Sequence, residues 1–95
     1  MKRLVWARAA RRDLFAIATY YGQFDPTLPM TLLARVYDAP LALLDFPEMG
    51  SPTRHPRVRK WRVRNTPFVL FYARASRGIE IRRVRHERED WKIES

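Results

Sequence analysis

The sequence predicts an α+β fold in which a helical hairpin packs on one face of a small, mainly antiparallel twisted sheet, in the order β-α-α-β-β-β. Apolar residues recur at helical spacing through the first half of the chain. From about residue 57 they alternate or run continuously, as in strands. No internal repeat, low-complexity tract or linker interrupts this order, so we expect a single domain over residues 1–95.

The N-terminal half predicts one short strand and two helices. LVW (4–6) is the strand, and residues 7–23 carry an apolar stripe at helical spacing. A second helix begins near Thr27, a candidate N-cap, and its apolar stripe continues past Pro40. Because proline lacks the N–H that an interior helical residue donates, the sequence predicts a kink there. The glycine and proline content of FPEMGSP (46–52) predicts a turn.

The C-terminal half predicts three strands joined as an antiparallel meander. VRKWRVR (58–64) alternates, which indicates a half-buried strand with a basic outer face. FVLFYA (68–73) is continuously apolar, so we expect a central strand buried on both faces. The last strand is IEIRRVRH (79–86). The alternation of its apolar residues is interrupted between Ile81 and Val84, which predicts a bulge or a strong twist near Arg82–Arg83. The tail from Glu87 onward fits one helical turn or coil.

Positive charge is concentrated in the second half of the chain. The formal net charge is +9, of which residues 1–50 carry +1 and residues 51–95 carry +8. Nearly all the basic residues are arginine, whose planar guanidinium favours forked contacts with carboxylates and phosphates. The C-terminal half therefore predicts an acidic partner. Charge alone leaves both nucleic acid and an acidic protein as candidates.

Several classes of protein are disfavoured by the composition. The chain contains no cysteine, which excludes disulfides, a cysteine nucleophile and a thiolate metal site. The sequence contains no run of about 18 apolar residues, so no membrane-spanning helix is predicted. The N-terminus lacks the apolar stretch of a signal peptide. We therefore expect a cytoplasmic protein without membrane association.

Four stretches of the chain resemble the ParE branch of the RelE/ParE toxin superfamily, and together they cover nearly all of it. They are VWARAARRDLFAIATYY (5–21), LLDFPEMG (43–50), VRKWRVRNTPFVLFYA (58–73) and IEIRRVRHEREDW (79–91). Each is weak alone, but their order and spacing are fairly specific. The most telling positions are Asp13-Leu14, Pro47, Gly50, Arg59, Tyr72, His86 and Asp90-Trp91.

The resemblance implies the toxin of a bacterial type II toxin–antitoxin pair. ParE-like toxins poison DNA gyrase, and a ParD-like antitoxin neutralises them. Such an antitoxin joins an N-terminal ribbon-helix-helix DNA-binding dimer to an acidic segment that wraps the toxin. The resemblance implies no cofactor and no metal, and it implies contact with DNA only indirectly, through the antitoxin or gyrase.

The RelE branch of the superfamily offers an enzymatic alternative, a ribosome-dependent mRNA endonuclease. RNA cleavage needs a general base, a general acid and cations for the phosphate. His86 could move a proton at neutral pH. The resemblance to RelE-like enzymes implies sheet lysines and arginines together with, typically, a tyrosine or histidine near the C-terminus. No tyrosine follows His86 here, so the set of catalytic groups is incomplete and a binding protein is favoured over an enzyme. The candidate cations are Arg59, Arg62, Arg82 and Arg85.

A third alternative is a plain basic nucleic-acid-binding module. It is disfavoured because the chain has no RNP-type motif, GXXG loop, zinc finger or clear recognition helix. We predict that His86 closes the last strand, with its imidazole bonded to backbone or to Asp90. The candidate partner-binding residues are Arg59, Arg62, Arg82, Arg85, His86, Arg88 and Trp91.

Overall fold

The computed structural model describes residues 2–89, which form three helices and a five-stranded sheet. The helices are α1 (Arg8–Gly22), α2 (Leu28–Asp38) and α3 (Leu41–Asp45). The strands are β1 (Arg3–Trp6), β2 (Ser51–Pro52), β3 (Arg59–Arg62), β4 (Phe68–Ala75) and β5 (Gly78–His86). A 3-10 turn, Glu87–Glu89, follows β5 and agrees with the single turn considered from the sequence. Asp90 and Trp91 lie outside the described residues.

The strand order in the sheet is β1-β5-β4-β3-β2. Strands β3, β4 and β5 form the predicted antiparallel meander, and β1 lies parallel to β5. The chain leaves β1 and passes through the helices before it re-enters the sheet, as a parallel neighbour requires. Gly78 is essential to this pairing because its φ is +153° and an added Cβ would overlap the backbone of Arg3.

Pro40 breaks the second predicted helix instead of kinking it. The sequence predicted one kinked helix, but α2 and α3 are separate helices on either side of this proline. The N–H of Leu43 donates to the carbonyl of Pro40 at 2.9 Å, in a tighter turn than an α-helix makes. The freed carbonyl of Ala39 accepts a hydrogen bond from Nε1 of Trp61 at 3.1 Å. Because Trp61 on β3 supplies a hydrogen-bond donor for this carbonyl, the helix can end at the proline.

Thr27 precedes α2 as predicted, but its side chain does not cap the helix. Oδ1 of Asp25 instead accepts from the backbone N–H of Thr27 at 2.9 Å and from its hydroxyl at 2.8 Å. These two bonds lower the pKa of Asp25, the backbone bond more strongly. The turn into α2 is therefore set by the aspartate two residues upstream.

Strand β2 lies inside the segment that the sequence predicted as a turn. Ser51 pairs with Lys60 and Pro52 pairs with Arg59, which adds a two-residue edge strand to the sheet. A strand this short has no periodicity that a sequence could reveal. The neighbouring strand β3 is also shorter than the predicted 58–64.

The centre of the sheet is buried on both faces, as the apolar run 68–73 predicted. Phe68, Leu70 and Tyr72 of β4 face the helices and belong to the main core. The intervening residues, Val69, Phe71 and Ala73, are also buried, with 1–5% of their surface exposed. No helix in the part of the chain described is long and apolar enough to cross a bilayer.

The predicted bulge in β5 is confirmed. Phe71 pairs with Arg83 while the next residue, Tyr72, pairs with Ile81. Arg82 is therefore the extra residue, and it restores the inward direction of the apolar side chains that follow. Val84 consequently faces the core alongside Ile81, although three positions separate them.

Candidate functional site

The predicted partner-binding residues lie in three separate depressions of the surface and do not form one patch. The first, the β3-edge groove, encloses about 740 Å³ between α2, α3 and the edge of β3. The second, the arginine pocket, encloses about 360 Å³, and the third, the His86 pocket, about 530 Å³. Arg62 lines the first, Arg59 and Arg82 line the second, and Arg85, His86 and Arg88 line the third. Trp91, the seventh predicted residue, lies outside the described residues.

The arginine pocket gathers four guanidinium groups around the end of β4. Its cationic lining is Arg57, Arg59, Arg74 and Arg82. Nη1 of Arg59 donates to the carbonyl of Gly50 at 2.7 Å and to that of Glu48 at 3.3 Å, so this arginine holds the turn before β2. Arg82 bonds Glu80 at 3.2 Å, and Arg74 lies 3.5 Å from the carboxylate of Glu48. Internal carboxylates therefore neutralise part of this positive charge.

The His86 pocket combines aromatic and cationic side chains between α1 and the end of β5. Its lining includes Tyr20, Tyr21, Phe68, Arg85, His86 and Arg88. Nδ1 of His86 accepts the backbone N–H of Arg88 at 3.2 Å, which confirms the predicted bond to backbone. The imidazole also meets the ring of Phe68 edge-on, with 6.1 Å between centroids. The Nε atom of Arg85 is buried and makes no hydrogen bond within residues 2–89.

Asp13 on α1 joins the helical layer to β5 at the bulge. Its two carboxylate oxygens accept from Nε and Nη2 of Arg83 at 2.9 and 3.0 Å. One of them also accepts from the backbone N–H of Val84 at 2.9 Å. The β1–β5 pairing ends at Trp6 and Ile81, so this carboxylate covers the exposed edge of β5 beyond that point. Asp13 was among the positions that carried the resemblance but was not predicted as a site residue.

The hydroxyl of Tyr72 makes two hydrogen bonds to the backbone of the 47–50 turn. It donates to the carbonyl of Pro47 at 2.8 Å and accepts the N–H of Gly50 at 2.9 Å. Burial raises the pKa of Tyr72, and the bond from Gly50 opposes that rise only in part. The phenol is therefore a neutral clamp on the 47–50 turn and is poorly placed to exchange protons with a bound substrate.

Three basic residues that line the β3-edge groove, Arg35, Lys60 and Arg64, were not among the predicted partner-binding residues. Arg35 lies on α2, and its Nη1 donates to the carbonyl of Asn65 at 2.9 Å across the mouth of the groove. Arg64 follows β3 on the same side. The strand pattern placed Lys60 and Arg64 on the basic outer face of the predicted strand 58–64, but only the packing of α2 against the β3–β4 turn brings Arg35 beside them.

No metal centre is built from the side chains between residues 2 and 89. No group of three histidine, cysteine, aspartate or glutamate side chains in that range could hold an ion. The three depressions instead offer guanidinium groups beside aromatic and aliphatic surface. Such surfaces suit recognition of an acidic, partly apolar macromolecule.

Comparison with known proteins gives a consistent result for sequence and fold. Residues 4–91 match the family model described as "ParE toxin of type II toxin-antitoxin system, parDE". The chain is 33% identical over 90 residues to the Sinorhizobium fredii (strain NBRC 101917 / NGR234) protein named "Putative toxin Y4kP", covering 95% of this chain and 93% of that one. A solved structure titled "Chromosomal ParDE TA system from P. aeruginosa" superposes with a TM-score of 0.79 at 26% identity.

The similarity extends over the full architecture. The superposition covers 90% of this chain and 96% of the Pseudomonas aeruginosa chain, so the helical layer and the mixed sheet are both shared. The matched family region, residues 4–91, includes every strand and helix described above except Arg3, the first residue of β1. The chain therefore belongs to the ParE toxin family of type II toxin–antitoxin systems.

Proposed function

We propose that the chain stops bacterial growth by inhibiting DNA gyrase and that a ParD-like antitoxin neutralises it. The observation that carries the proposal is that the groups best suited to proton transfer on the sheet are already bonded. The Tyr72 hydroxyl is buried between Pro47 and Gly50. Nδ1 of His86 accepts a backbone N–H. A toxin that acts by binding requires neither group to exchange protons.

The arginines of the sheet fit the same interpretation. Arg62 lies 2.7 Å from the carboxylate of Glu87, and Arg82 lies 3.2 Å from that of Glu80. In both pairs the side chains are substantially exposed, so the ion pairs are weak and exchangeable. An acidic protein partner can replace these internal carboxylates with its own.

The affinity of the chain for its proposed antitoxin should depend on salt concentration. Residues 51–95 carry a net +8, and all three depressions include arginine. An acidic segment that folds on binding would gain long-range attraction to this half of the chain. We expect the affinity for the antitoxin to fall as ionic strength rises, because salt screens exposed charges. An affinity that is unchanged between 50 mM and 500 mM salt would contradict an electrostatic contact.

The test places purified toxin in two parallel reactions. One measures supercoiling of relaxed plasmid by gyrase, and the other measures the integrity of mRNA on translating ribosomes. We expect supercoiling to be lost, or cleaved DNA to be trapped, while the mRNA stays intact. Addition of a ParD-like antitoxin should restore supercoiling.

A ribosome-dependent mRNA endonuclease is the second candidate, and one observation favours it. His86 shares a pocket with Arg85 and Arg88, so a possible proton carrier lies beside two cations. Cut mRNA together with normal supercoiling would assign the chain to this activity. Supercoiling inhibition without mRNA cleavage would reject it.

A further inference from the structure

The arginine pocket collects its cations from three parts of the sheet that are separate in sequence. Arg59 begins β3, Arg74 lies near the end of β4, and Arg82 is the bulge residue of β5. Arg57, two residues before β3, completes the set. The four side chains line a depression of about 360 Å³ beside the buried Tyr72, which pairs with Arg59 in the β3–β4 ladder. The pairing of the strands, and not a run of charge in the sequence, therefore creates this cationic concavity.

Arg57 and Arg59 both have hydrogen-bond donors to offer a ligand. The two bonds from Arg59 to the 48–50 backbone use Nη1, so its Nε and Nη2 make no hydrogen bond within residues 2–89. The side chain of Arg57 makes no hydrogen bond or ion pair in the same part of the chain. Because the turn already holds the Arg59 guanidinium in place, this part of the pocket is ordered before a ligand arrives.

The carboxylates that pair with the other two arginines can be replaced by a stronger anion. Glu48 lies 3.5 Å from Arg74, and 71% and 68% of these side chains are exposed. The pair of Arg82 with Glu80, at 3.2 Å, is also substantially exposed. Exposed ion pairs of this kind contribute little to stability, so an incoming anion displaces them at small cost.

The pocket offers little apolar surface to a protein segment. Its aliphatic lining is Pro56 and Ala73, and Ala73 is only 4% exposed. Tyr72 is buried as well, so the described residues that line the pocket present no aromatic ring for stacking. The His86 pocket, in contrast, is lined by Tyr20 and Tyr21. The arginine pocket therefore favours a small and polar ligand.

The charge of the arginine pocket distinguishes between kinds of anion. Its lining contains four guanidinium groups and one carboxylate, that of Glu48. Guanidinium groups bind phosphate oxygens through paired N–H donors. A nucleic-acid backbone brings one negative charge per phosphate, whereas a terminal phosphate group carries about −1.5 to −2 at neutral pH. Two linked phosphate groups therefore match this excess of positive charge better than a phosphodiester does.

We propose that the arginine pocket binds a diphosphate group through the guanidinium groups of Arg57, Arg59, Arg74 and Arg82. The two phosphates replace the carboxylates that now pair with Arg74 and Arg82. The chemistry is the same for the free anion and for the terminal diphosphate of a nucleotide. The inference does not depend on gyrase inhibition, because it rests on the pocket alone.

Removal of the carboxylate that competes for Arg74 gives the first test. The probe is inorganic pyrophosphate, titrated calorimetrically into the purified full-length chain in a phosphate-free buffer of low ionic strength. Glu48→Gln should strengthen pyrophosphate binding about fivefold, because the anion no longer meets a like charge in the pocket. Asp45→Asn is the matched control, since Asp45 is equally exposed, pairs with Lys2 at 3.1 Å and lies outside the pocket lining. Equal strengthening in the two variants would show a response to net charge alone and would overturn the proposal.

Replacement of Arg74 tests the guanidinium contact itself. Arg74→Gln should weaken pyrophosphate binding about tenfold, and Arg74→Lys, which keeps the charge but loses the paired donors, should weaken it severalfold. Arg11→Gln, at an exposed position of α1 outside this pocket, is the control for net charge and should have little effect. Circular dichroism establishes that each variant folds. Full affinity in Arg74→Gln would refute the site.

Amide chemical shifts locate the bound anion. Pyrophosphate should shift the amides of Ala73, Arg74 and Arg82, and shifts confined to His86 and Arg88 would place it in the other pocket and overturn the proposal. Binding of ADP at the same amides would identify the nucleotide as a source of the diphosphate, whereas pyrophosphate binding without ADP binding would identify the free anion; both results support the site. Tighter binding at these amides by a hexaglutamate peptide, or by a DNA duplex, would assign the pocket to that ligand and reject a diphosphate site.

Discussion

Asp13 and Arg83 are separated by 70 positions in the chain and form a two-point ion pair, with nitrogen–oxygen distances of 2.9 and 3.0 Å. The Asp13 side chain is only 13% exposed, and that of Arg83 is 36% exposed. The same carboxylate accepts the N–H of Val84, one residue past the arginine. A single aspartate therefore fixes α1 against the bulged end of β5.

Replacement of Asp13 by alanine should destabilise the fold. The change leaves the Val84 N–H without this acceptor and removes a carboxylate from Arg83. We expect a loss of about 2 kcal/mol in the free energy of unfolding, measured by urea denaturation. Arg82→Ala is the matched control, because it breaks a more exposed pair with Glu80 and should cost less than about 0.5 kcal/mol. Equal effects of the two substitutions would contradict the role assigned to Asp13.

Replacement of Tyr72 by phenylalanine removes a hydroxyl that the 47–50 turn needs. The buried N–H of Gly50 and the carbonyl of Pro47 each lose a partner. We expect destabilisation of about 1–3 kcal/mol, since an unsatisfied buried donor costs its full desolvation. Tyr37→Phe, at a half-exposed ring on α2, is the control and should be close to neutral. A neutral Tyr72→Phe variant would show that the turn does not depend on this clamp.

The stability difference between the wild type and Tyr72→Phe should depend on pH in alkaline solution. The folded pKa of Tyr72 is raised above its unfolded value of about 10. The neutral phenol is therefore favoured in the folded state, and its stabilising contribution is complete below about pH 10 and is lost as pH rises toward the folded pKa. Urea denaturation from pH 8 to 11 should show that the difference in the free energy of unfolding between the wild type and Tyr72→Phe becomes smaller. A constant gap would contradict the raised pKa.

Alanine at Gly78 should disrupt the pairing of β1 with β5. The substituted residue would hold a φ that is unfavourable for a side chain, and its Cβ would overlap the Arg3 backbone. We expect a destabilisation of about 1–3 kcal/mol and faster amide exchange at Arg3, whose N–H donates to Arg77. Gly22→Ala is the control, since its added Cβ would meet only Pro29 at 3.6 Å. Unchanged exchange at Arg3 in Gly78→Ala would rule out this role.

His86→Ala should leave toxicity largely intact. The imidazole bonds backbone and packs on Phe68, so its loss costs some stability but no proposed chemistry. Retained toxicity can be checked by measuring growth inhibition in cells together with the thermal midpoint of the purified variant. Abolished toxicity at an unchanged midpoint would move His86 into a functional site. Substitution by glutamine, which retains a hydrogen-bonding side chain, separates loss of the backbone bond from loss of the imidazole.

Local pattern was sufficient to predict most of the elements. The continuous apolar run 68–73 predicted the central strand, and the parity slip near Arg82–Arg83 predicted the bulge, because side-chain direction alternates strictly along a strand. Pro40 shows the limit of such reasoning. The missing N–H was visible in the sequence, but the hydrogen bond from Trp61 to the Ala39 carbonyl, where α2 ends, was not.

The candidate site was less predictable than the fold. The sequence predicted that arginine side chains contact a partner, but it did not predict that these arginines divide among three depressions or that Arg35 lines one of them. Charge and periodicity are properties of the chain itself, so the sequence determined most of the helices and strands, though not α3 or β2, and a basic second half. Contacts between distant segments depend on how the layers pack, so only the tertiary structure decided that Asp13 meets Arg83 and that α2, α3 and β3 enclose a groove.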